Sequence, residues 1–457
     1  MTDITREHPD YLARKANLQR YQDLYAGGEE LNSRVGDYLL PKPREGSDAY
    51  NDRLQRAYYE NYIGSIIDWY AATLFRREAV LSLEGDSAAG RKFFAEFASD
   101  CDRIGTSLTD FYRGRFIDTL IHGRSYVLAD FPKPGARPRN RAEEELLGAS
   151  RAYLTGYGVE NLINWSTDAR GQFDWVVLRQ APPDKGSAAD QDANAEVRWL
   201  YYDREQFRVY RAPLKKQDKP ELIDHGYHGM ARQRRVPLFD LKVSDGLWLM
   251  NKAAALQLEH FNKSNALSWA LNMGLLAMPV VYTDREFNQI VGESHYLLLG
   301  PNDRFGWTEP EGRVFQIAAE NLDRLKQEIY RVSYLLNQAG TSAAVQTQSG
   351  LSKLRDFAVT QEVLRAYGDA VKDSMNRVLR AIAEAREDEL SVHVTGLDEF
   401  DVADFGTRLE DAERMLALGI GSPTLKKQVF KKLALEFLCD SSAEVKGQIA
   451  AEIDASF

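Results

Sequence analysis

The segment Gly85–Lys92, GDSAAGRK, comes close to a phosphate-cradling loop of the form G-x-x-x-x-G-K-[ST]. Arg91 stands where a lysine should reach the phosphates, and Lys92 stands where a hydroxyl should hold magnesium. No apolar strand feeds it, so it reads as a loop before a helix. Seven histidines (His8, His122, His225, His228, His260, His295, His393) are scattered along the chain. Only His225 and His228 are close, in a Gly-rich turn with no carboxylate cluster and no metal-ligand spacing. Asp369 and Asp373 share a helical face beside Lys372 and read as solvated charge. Asp398, Glu399, Asp401 and Asp404 form an acidic patch suited to a cation, but nothing fixes its geometry, and a solvated linker is the plainer reading. Cys101 and Cys439 are far apart, without CxxC or histidine spacing, which argues against a disulfide framework or a zinc site. There is no G-x-S-x-G elbow and no H-E-x-x-H. The sequence supplies no catalytic, cofactor-binding or metal residue, and a non-enzymatic protein is expected.

Other features bound the class. With 457 residues, 44% hydrophobic and 28% charged, the chain suits a soluble, cored protein of roughly two to four structural units. Its net charge of -10 disfavours a tight grip on nucleic-acid phosphates while leaving weak, sliding contact open. The first residues, MTDITREHPDYLARK, are charged where a signal peptide would be apolar. Ala266–Val281 is the most apolar stretch. It is short of the roughly 20 residues that a membrane span needs and reads as a buried or subunit-facing helix.

The elements follow from periodicity. Helix is expected over Asn17–Tyr25, then over Ala49–Arg77 as one aromatic-rich run, then near Ala88–Asp100 and Leu108–Leu120. From His122 the pattern turns to short β-branched and aromatic runs: Gly123–Pro132, Arg151–Trp165, Asp174–Gln180, Glu196–Asp203, Phe207–Ala212 and the segment around Val236–Leu238. These predict an α/β or mostly-β insert over 123–240. Helix returns over Gly246–Met278, roughly 40 Å at about 1.5 Å per residue, and Pro279 ends it. Strands are expected from Pro279 and over His295–Gly300, with Asp303–Gly312 as a turn-rich hairpin region. A second strong helix covers Ala319–Leu336. A strand is expected at Ser391–Gly396, and two C-terminal helices parted by Gly419 and Gly421 precede a final short one.

Asn337–Gly350, NQAGTSAAVQTQSG, breaks this regularity. Residues Gly340–Gly350 hold no charge and few bulky groups, so burial cannot offset the cost of ordering them. A loop of that length between two strong helices is uncommon unless it has a task. The helix after it carries an apolar stripe of Leu354, Phe357, Leu364, Tyr367, Val371, Met375, Val378 and Ile382, with mixed charge on its other side.

In order along the chain, Y-x-D-x-Y-x-G (Tyr21–Gly27), YLLPKP (Tyr38–Pro43), YNDRLQRAYYENYIGSIIDW (Tyr50–Trp69), LFRRE (Leu74–Glu78), HGRSYVLADFP (His122–Pro132), RAYLTGYGVENLINW (Arg151–Trp165), AMPVV (Ala277–Val281), NLDRLKQEIY (Asn321–Tyr330) and SGLSKLRDF (Ser349–Phe357) resemble the portal proteins of tailed bacteriophages. Many relatives have SG-x-A-L-K where Ser352, Lys353 and Leu354 follow Leu351 here, which leaves open which basic residue meets the channel.

That resemblance implies a predominantly helical α+β fold divided into wing, stem, clip and crown. Residues 1–245 would form the wing (helical over 1–120, with the insert at 123–240), and 246–278 and 319–336 the stem helices. The clip would be 279–318, the tunnel loop 337–350, the bridging helix and a wing strand 351–400, and the crown 401–457. It implies a ring, usually of twelve copies, at one capsid vertex of the virion, assembled in the host cytoplasm, with no cofactor and no membrane. Implied partners are double-stranded DNA sliding through, the terminase large subunit, the major capsid or scaffolding protein and a head-completion adaptor. The implied DNA-facing residues are Gln338, Thr341, Ser342, Gln346, Thr347, Gln348, Ser349 and Lys353, with Arg324, Lys326 and Arg331 in the stem. Pairing with Asp323, Glu328 and Asp356 is the equal alternative for the basic residues near the loop. Arg304 and Trp307 would serve docking at the clip. Two competing readings are a nucleotide-dependent DNA-processing enzyme and a monomeric minor head protein.

Overall fold

The computed structural model describes residues 3–132, 150–180, 196–214, 219–275, 278–284, 299–308, 312–335, 350–397, 405–418 and 421–438, with a few single residues beyond 444. Its helices in chain order are α1 (Pro9–Ala26), α2 (Gly28–Ser33), α3 (Val35–Tyr38), α4 (Ser47–Gln55), α5 (Tyr62–Leu74), α6 (Ala88–Ser99), α7 (Leu108–His122), α8 (Leu249–Leu275), α9 (Gly312–Val332), α10 (Gly350–Arg386), α11 (Phe405–Ala417) and α12 (Pro423–Phe437). The chain is α+β.

Serine caps start three of these helices. Ser87, Ser107 and Ser422 accept bonds from the backbone N–H groups of Gly90, Asp110 and Leu425 and so open α6, α7 and α12. Helix α7 stops at Gly123, which takes the left-handed conformation (φ 78°) and lies so close to Trp248 that a Cβ would sit 2.8 Å from the indole. The indole N–H of Trp248 donates to the Ile121 carbonyl at 2.9 Å, which fixes the α7 corner to the root of α8.

The run expected as one helix over Ala49–Arg77 is broken. Helix α4 ends at Gln55 and α5 starts at Tyr62, with Asn61 as cap: its side chain accepts from Gly64 N–H and donates to the Tyr25 carbonyl. Residues between these helices find their backbone partners on α8 instead.

The insert takes the mostly-β of the two forms expected. Strands β2 (Arg124–Asp130), β3 (Tyr153–Tyr157) and β9 (Leu238–Lys242) form a three-stranded sheet in the order β3-β2-β9. Strands β4 (Leu162–Thr167), β5 (Phe173–Gln180), β6 (Glu196–Asp203), β7 (Gln206–Pro213) and β8 (Glu221–Tyr227) form a five-stranded meander. Every pairing in both sheets is antiparallel, and no helix crosses over among the described residues of the insert. A tight turn suffices for antiparallel neighbours: at the β6–β7 corner Asp203 accepts from the N–H groups of Glu205 and Gln206. The two sheets enclose Tyr126, Leu128, Tyr157, Val176, Leu178, Tyr202 and Phe207. On the far face of the larger sheet, Tyr11 and Leu18 of α1 cover Ile163, Val177, Val197 and Trp199.

The main core joins α1, α5, α6, α7, the root of α8 and α10. Helix α10 has 37 residues and buries Leu364, Tyr367, Val371, Met375, Val378 and Ile382 of the expected stripe, while the side chains of Leu354 and Phe357 lie outside the described ones. Each such side chain stabilises the fold by about 1.5–3 kcal/mol. Its wet side is anchored to β9, where Arg377 donates to both the carboxylate and the carbonyl of Asp240. At its end, the buried Arg386 pairs with Asp388 at 2.7 Å and lies 3.8 Å from the Phe93 ring centroid. The chain then forms β12 (Ser391–Thr395), whose antiparallel partner β1 (Val80–Glu84) lies far back in the sequence. Helices α11 and α12 agree with the two expected near the C-terminus, and Ser422 starts the second. The expected acidic patch Asp398–Asp404 and Cys439 lie outside the described residues.

Candidate functional site

Helices α8 and α9 lie against each other and run antiparallel, since Lys252 meets Tyr334 while Lys263 meets Asn321. At about 1.5 Å per residue, their 27 and 21 residues make a pair of roughly 40 and 32 Å. Beyond it, β10 (Met278–Tyr282) and β11 (Arg304–Thr308) form an antiparallel two-stranded hairpin. The turn-rich hairpin region expected over Asp303–Gly312 contains the strand β11, and α9 begins at Gly312, inside the stretch expected to belong to the clip.

The root of this pair is held by side-chain amides. Gln257 accepts from Ile63 N–H and donates to the Glu60 carbonyl at 2.7 Å. Asn262 donates to the Tyr38 carbonyl and accepts from Leu40 N–H. Asn265 brackets Tyr58, accepting from its N–H and donating to its carbonyl. Each amide offers an irregular segment the donor and acceptor that a neighbouring strand would supply. The break between α4 and α5 is thus satisfied from α8.

Midway, the Tyr62 ring meets His260 edge-on at 5.1 Å and Tyr330 at 6.3 Å, with Lys326 at 5.7 Å from its centroid. Burial pushes the His260 imidazole below its ordinary pKa, with Lys326 acting in the same direction and Glu60 opposing it. Toward the hairpin the surface turns apolar and open: Val314 is 63% exposed, Ile317 56%, Leu271 41% and Tyr282 63%.

The expected DNA-facing residues are placed unevenly. Lys326 leans onto Tyr62. Arg331 is held by Glu328 through two bonds of 2.5 and 2.7 Å. Arg324 is exposed beside Asp323. So two of the three stem cations are already engaged within the chain. Arg304 is exposed at the start of β11, opposite Tyr282. Trp307 pairs with Pro279 in the hairpin, and Lys353 lies in the first turn of α10, but both side chains lie outside the described ones. Gln338, Thr341, Ser342, Gln346, Thr347, Gln348 and Ser349 lie outside the described residues.

The junction where α9 ends was not signalled by the sequence. Tyr334 has φ 61°, its N–H donates to the Arg331 carbonyl, and Leu335 N–H donates to the Tyr330 carbonyl. This closing pattern usually places glycine at the left-handed position.

Residues singled out for chemistry have structural tasks here. In GDSAAGRK, Ser87 caps α6 and the Arg91 guanidinium donates to the Gly85 carbonyl. A Cβ on Gly90 would lie 2.4 Å from Leu390, so the loop is packed against the chain after α10. His225 sits on β8 opposite Arg208, whereas His228 is buried, its ring nitrogens engaging the Asp203 carbonyl and the Met230 N–H. Ser391 and His393 come within 2.9 Å, but Arg380 faces the other ring nitrogen at 3.2 Å. Arginine can only donate, so His393 Nδ1 must accept and Nε2 carries the proton toward Ser391, the reverse of what activates a nucleophile. Lys372 pairs with Asp369 at 3.0 Å. Burial pushes the Cys101 thiol up to about 12, which leaves it inert. Among the described residues no group of three or more metal-ligating side chains gathers, and no helix is long and apolar enough to cross a membrane.

The chain is similar to chains in solved gene transfer agent particles. One, from the neck of an empty particle computed with C6 symmetry, is 14% identical over 79% of this chain and 88% of that one, with a TM-score of 0.48. A second, from the virion of a native particle, is 12% identical over 88% and 96%, again at 0.48. A third, from the neck of a native particle computed with C12 symmetry, is 11% identical over 83% and 91%, at 0.40. No protein-family model and no curated protein matches the chain.

Proposed function

We propose that this chain is the subunit of a portal-type ring: a non-enzymatic conduit at one capsid vertex through which double-stranded DNA is packaged and released. The observation that carries the reading is the antiparallel α8–α9 pair. It is rooted by buried amides in a helical body, tipped by the β10–β11 hairpin, and followed by a long helix returning across that body. In this reading α8 and α9 are the stem, the hairpin belongs to the clip, and residues 337–350 face the DNA.

The chemistry suits passage without capture. Each phosphate contact made by a fixed Lys or Arg adds salt-dependent affinity. Arg331 is neutralised by Glu328, Lys326 is drawn onto Tyr62, and the whole chain is acidic. A ring needs a heterologous face on each subunit, and the open apolar residues Val314, Ile317 and Leu271 supply such area on the stem. The clip would receive the terminase large subunit during packaging and a head-completion adaptor afterwards, with capsid or scaffolding protein around the wing, in a ring of twelve.

Deleting Gly340–Ser349 tests the conduit directly. The expected result is intact oligomers that package or retain less DNA in a head-assembly assay. Normal packaging and retention by intact oligomers contradicts the role given to the loop.

A further inference from the structure

The end of α9 contains a left-handed tyrosine where the closing motif favours glycine, and four separate contacts hold it there. Lys252 Nζ donates to the Tyr334 hydroxyl at 2.7 Å and lies 4.7 Å from its ring centroid. The same hydroxyl donates to the Gly246 carbonyl at 3.1 Å. On the backbone side, the buried Thr360 hydroxyl of α10 donates to the Tyr334 carbonyl at 2.7 Å. One residue earlier, the buried Tyr70 hydroxyl of α5 donates to the Ser333 carbonyl at 2.7 Å. Tyr367 completes the group by donating to the Leu247 carbonyl, next to Gly246.

A bulky residue at positive φ pays a steric cost that glycine does not, and such a conformation persists where its surroundings over-determine it. Here the surroundings are the start of α8, the first half of α10 and the second half of α5, the elements that meet at the stem root. We propose that Tyr334 is a positioning residue: its clamp fixes the point and direction in which the chain leaves the stem. Glycine would allow the same turn without registering it against α8 and α10. The tyrosine couples the exit of α9 to both, so a shift of either stem helix is passed to the segment that follows. This purpose rests on the conduit reading; the clamp itself does not.

The test uses the full chain and three variants that each remove a different contact, Tyr334→Phe, Lys252→Met and Thr360→Val. Amide hydrogen exchange is read at Tyr334 and Leu335, whose N–H groups close the motif, and at core amides of α5 and α7. DNA packaging is measured in parallel. The expected result is exchange at Tyr334 and Leu335 faster by roughly tenfold in each variant, core amides unchanged, and reduced packaging. Unchanged exchange in all three variants overturns the proposal. Exchange that rises equally throughout the core also overturns it, because the contacts would then be ordinary core stability. Faster local exchange with normal packaging shows the clamp but overturns its positioning role, and leaves the conduit reading to be decided by the loop deletion and the native mass.

Discussion

At the root of the α8–α9 pair, Gln257, Asn262 and Asn265 give irregular backbone on the body its missing donors and acceptors, and Tyr334 is gripped from α8 and α10. At the hairpin end of the same pair, Val314, Ile317, Leu271 and Tyr282 stand open. One chain completes the first region by itself. The second leaves apolar side chains exposed, the area that the proposed ring would cover. A helix pair closed at the root and open along its outer half suits a part that takes its position from its own subunit and its partners from neighbouring ones.

That contrast can be broken from either side. The largest effect is expected inside the body, where Arg386 and Asp388 are an almost fully buried pair. Arg386→Ala removes the cation paired with this buried carboxylate and should cost about 3–5 kcal/mol in urea unfolding. A loss below about 1 kcal/mol would mean that water reaches the pair. Next, Asn265→Leu leaves both backbone groups of Tyr58 unmet. An expected cost of about 2–4 kcal/mol follows from two lost partners, with ring formation unchanged in any protein that folds. At the open end the expectation inverts. The double variant Val314→Ser, Ile317→Ser should alter subunit stability by less than about 0.5 kcal/mol yet shift the native mass toward smaller species. Full-size oligomers from this variant would remove these residues from the interface.

A smaller effect lies in pH. His122, His228 and His260 are buried, and burial lowers the pKa of each below its ordinary 6.5. The unfolded chain then binds protons that the folded chain refuses, so this contribution is complete above about pH 6.5 and is lost as pH falls through that value toward the folded pKa values. Melting temperature should drop between pH 7.5 and 5.5, and His260→Gln should lessen the drop. An equal drop in the variant would show that His260 does not carry the effect.

Much of this arrangement was legible in the sequence. The period of three and four placed α8 within a few residues of its ends and picked out the side chains that α10 buries from Leu364 to Ile382, and β5 and β6 matched short runs of aromatic and β-branched residues. The misses share a cause. Arg56–Asn61 has nothing against helix locally; it is non-helical because Gln257 and Asn265, some 200 positions later, satisfy its backbone. Strand β1 was missed because its partner β12 lies more than 300 residues away. Strand β8, with Asp224, His225 and Gly226, reads as a turn and is a strand only through β7. For the site, the charge of Lys326 and Arg331 was legible but their engagement by Tyr62 and Glu328 was not. Tyr334 carries no local sign, since its left-handed backbone is imposed by residues of α8 and α10.

The native mass of the purified full chain, read together with electron microscopy, tests the central claim most directly. Twelve subunits of 51.8 kDa would weigh about 620 kDa. A closed ring near that mass, with α8 and α9 bordering a central hole, is the predicted result. A strict monomer, or an assembly without a central opening, would contradict it.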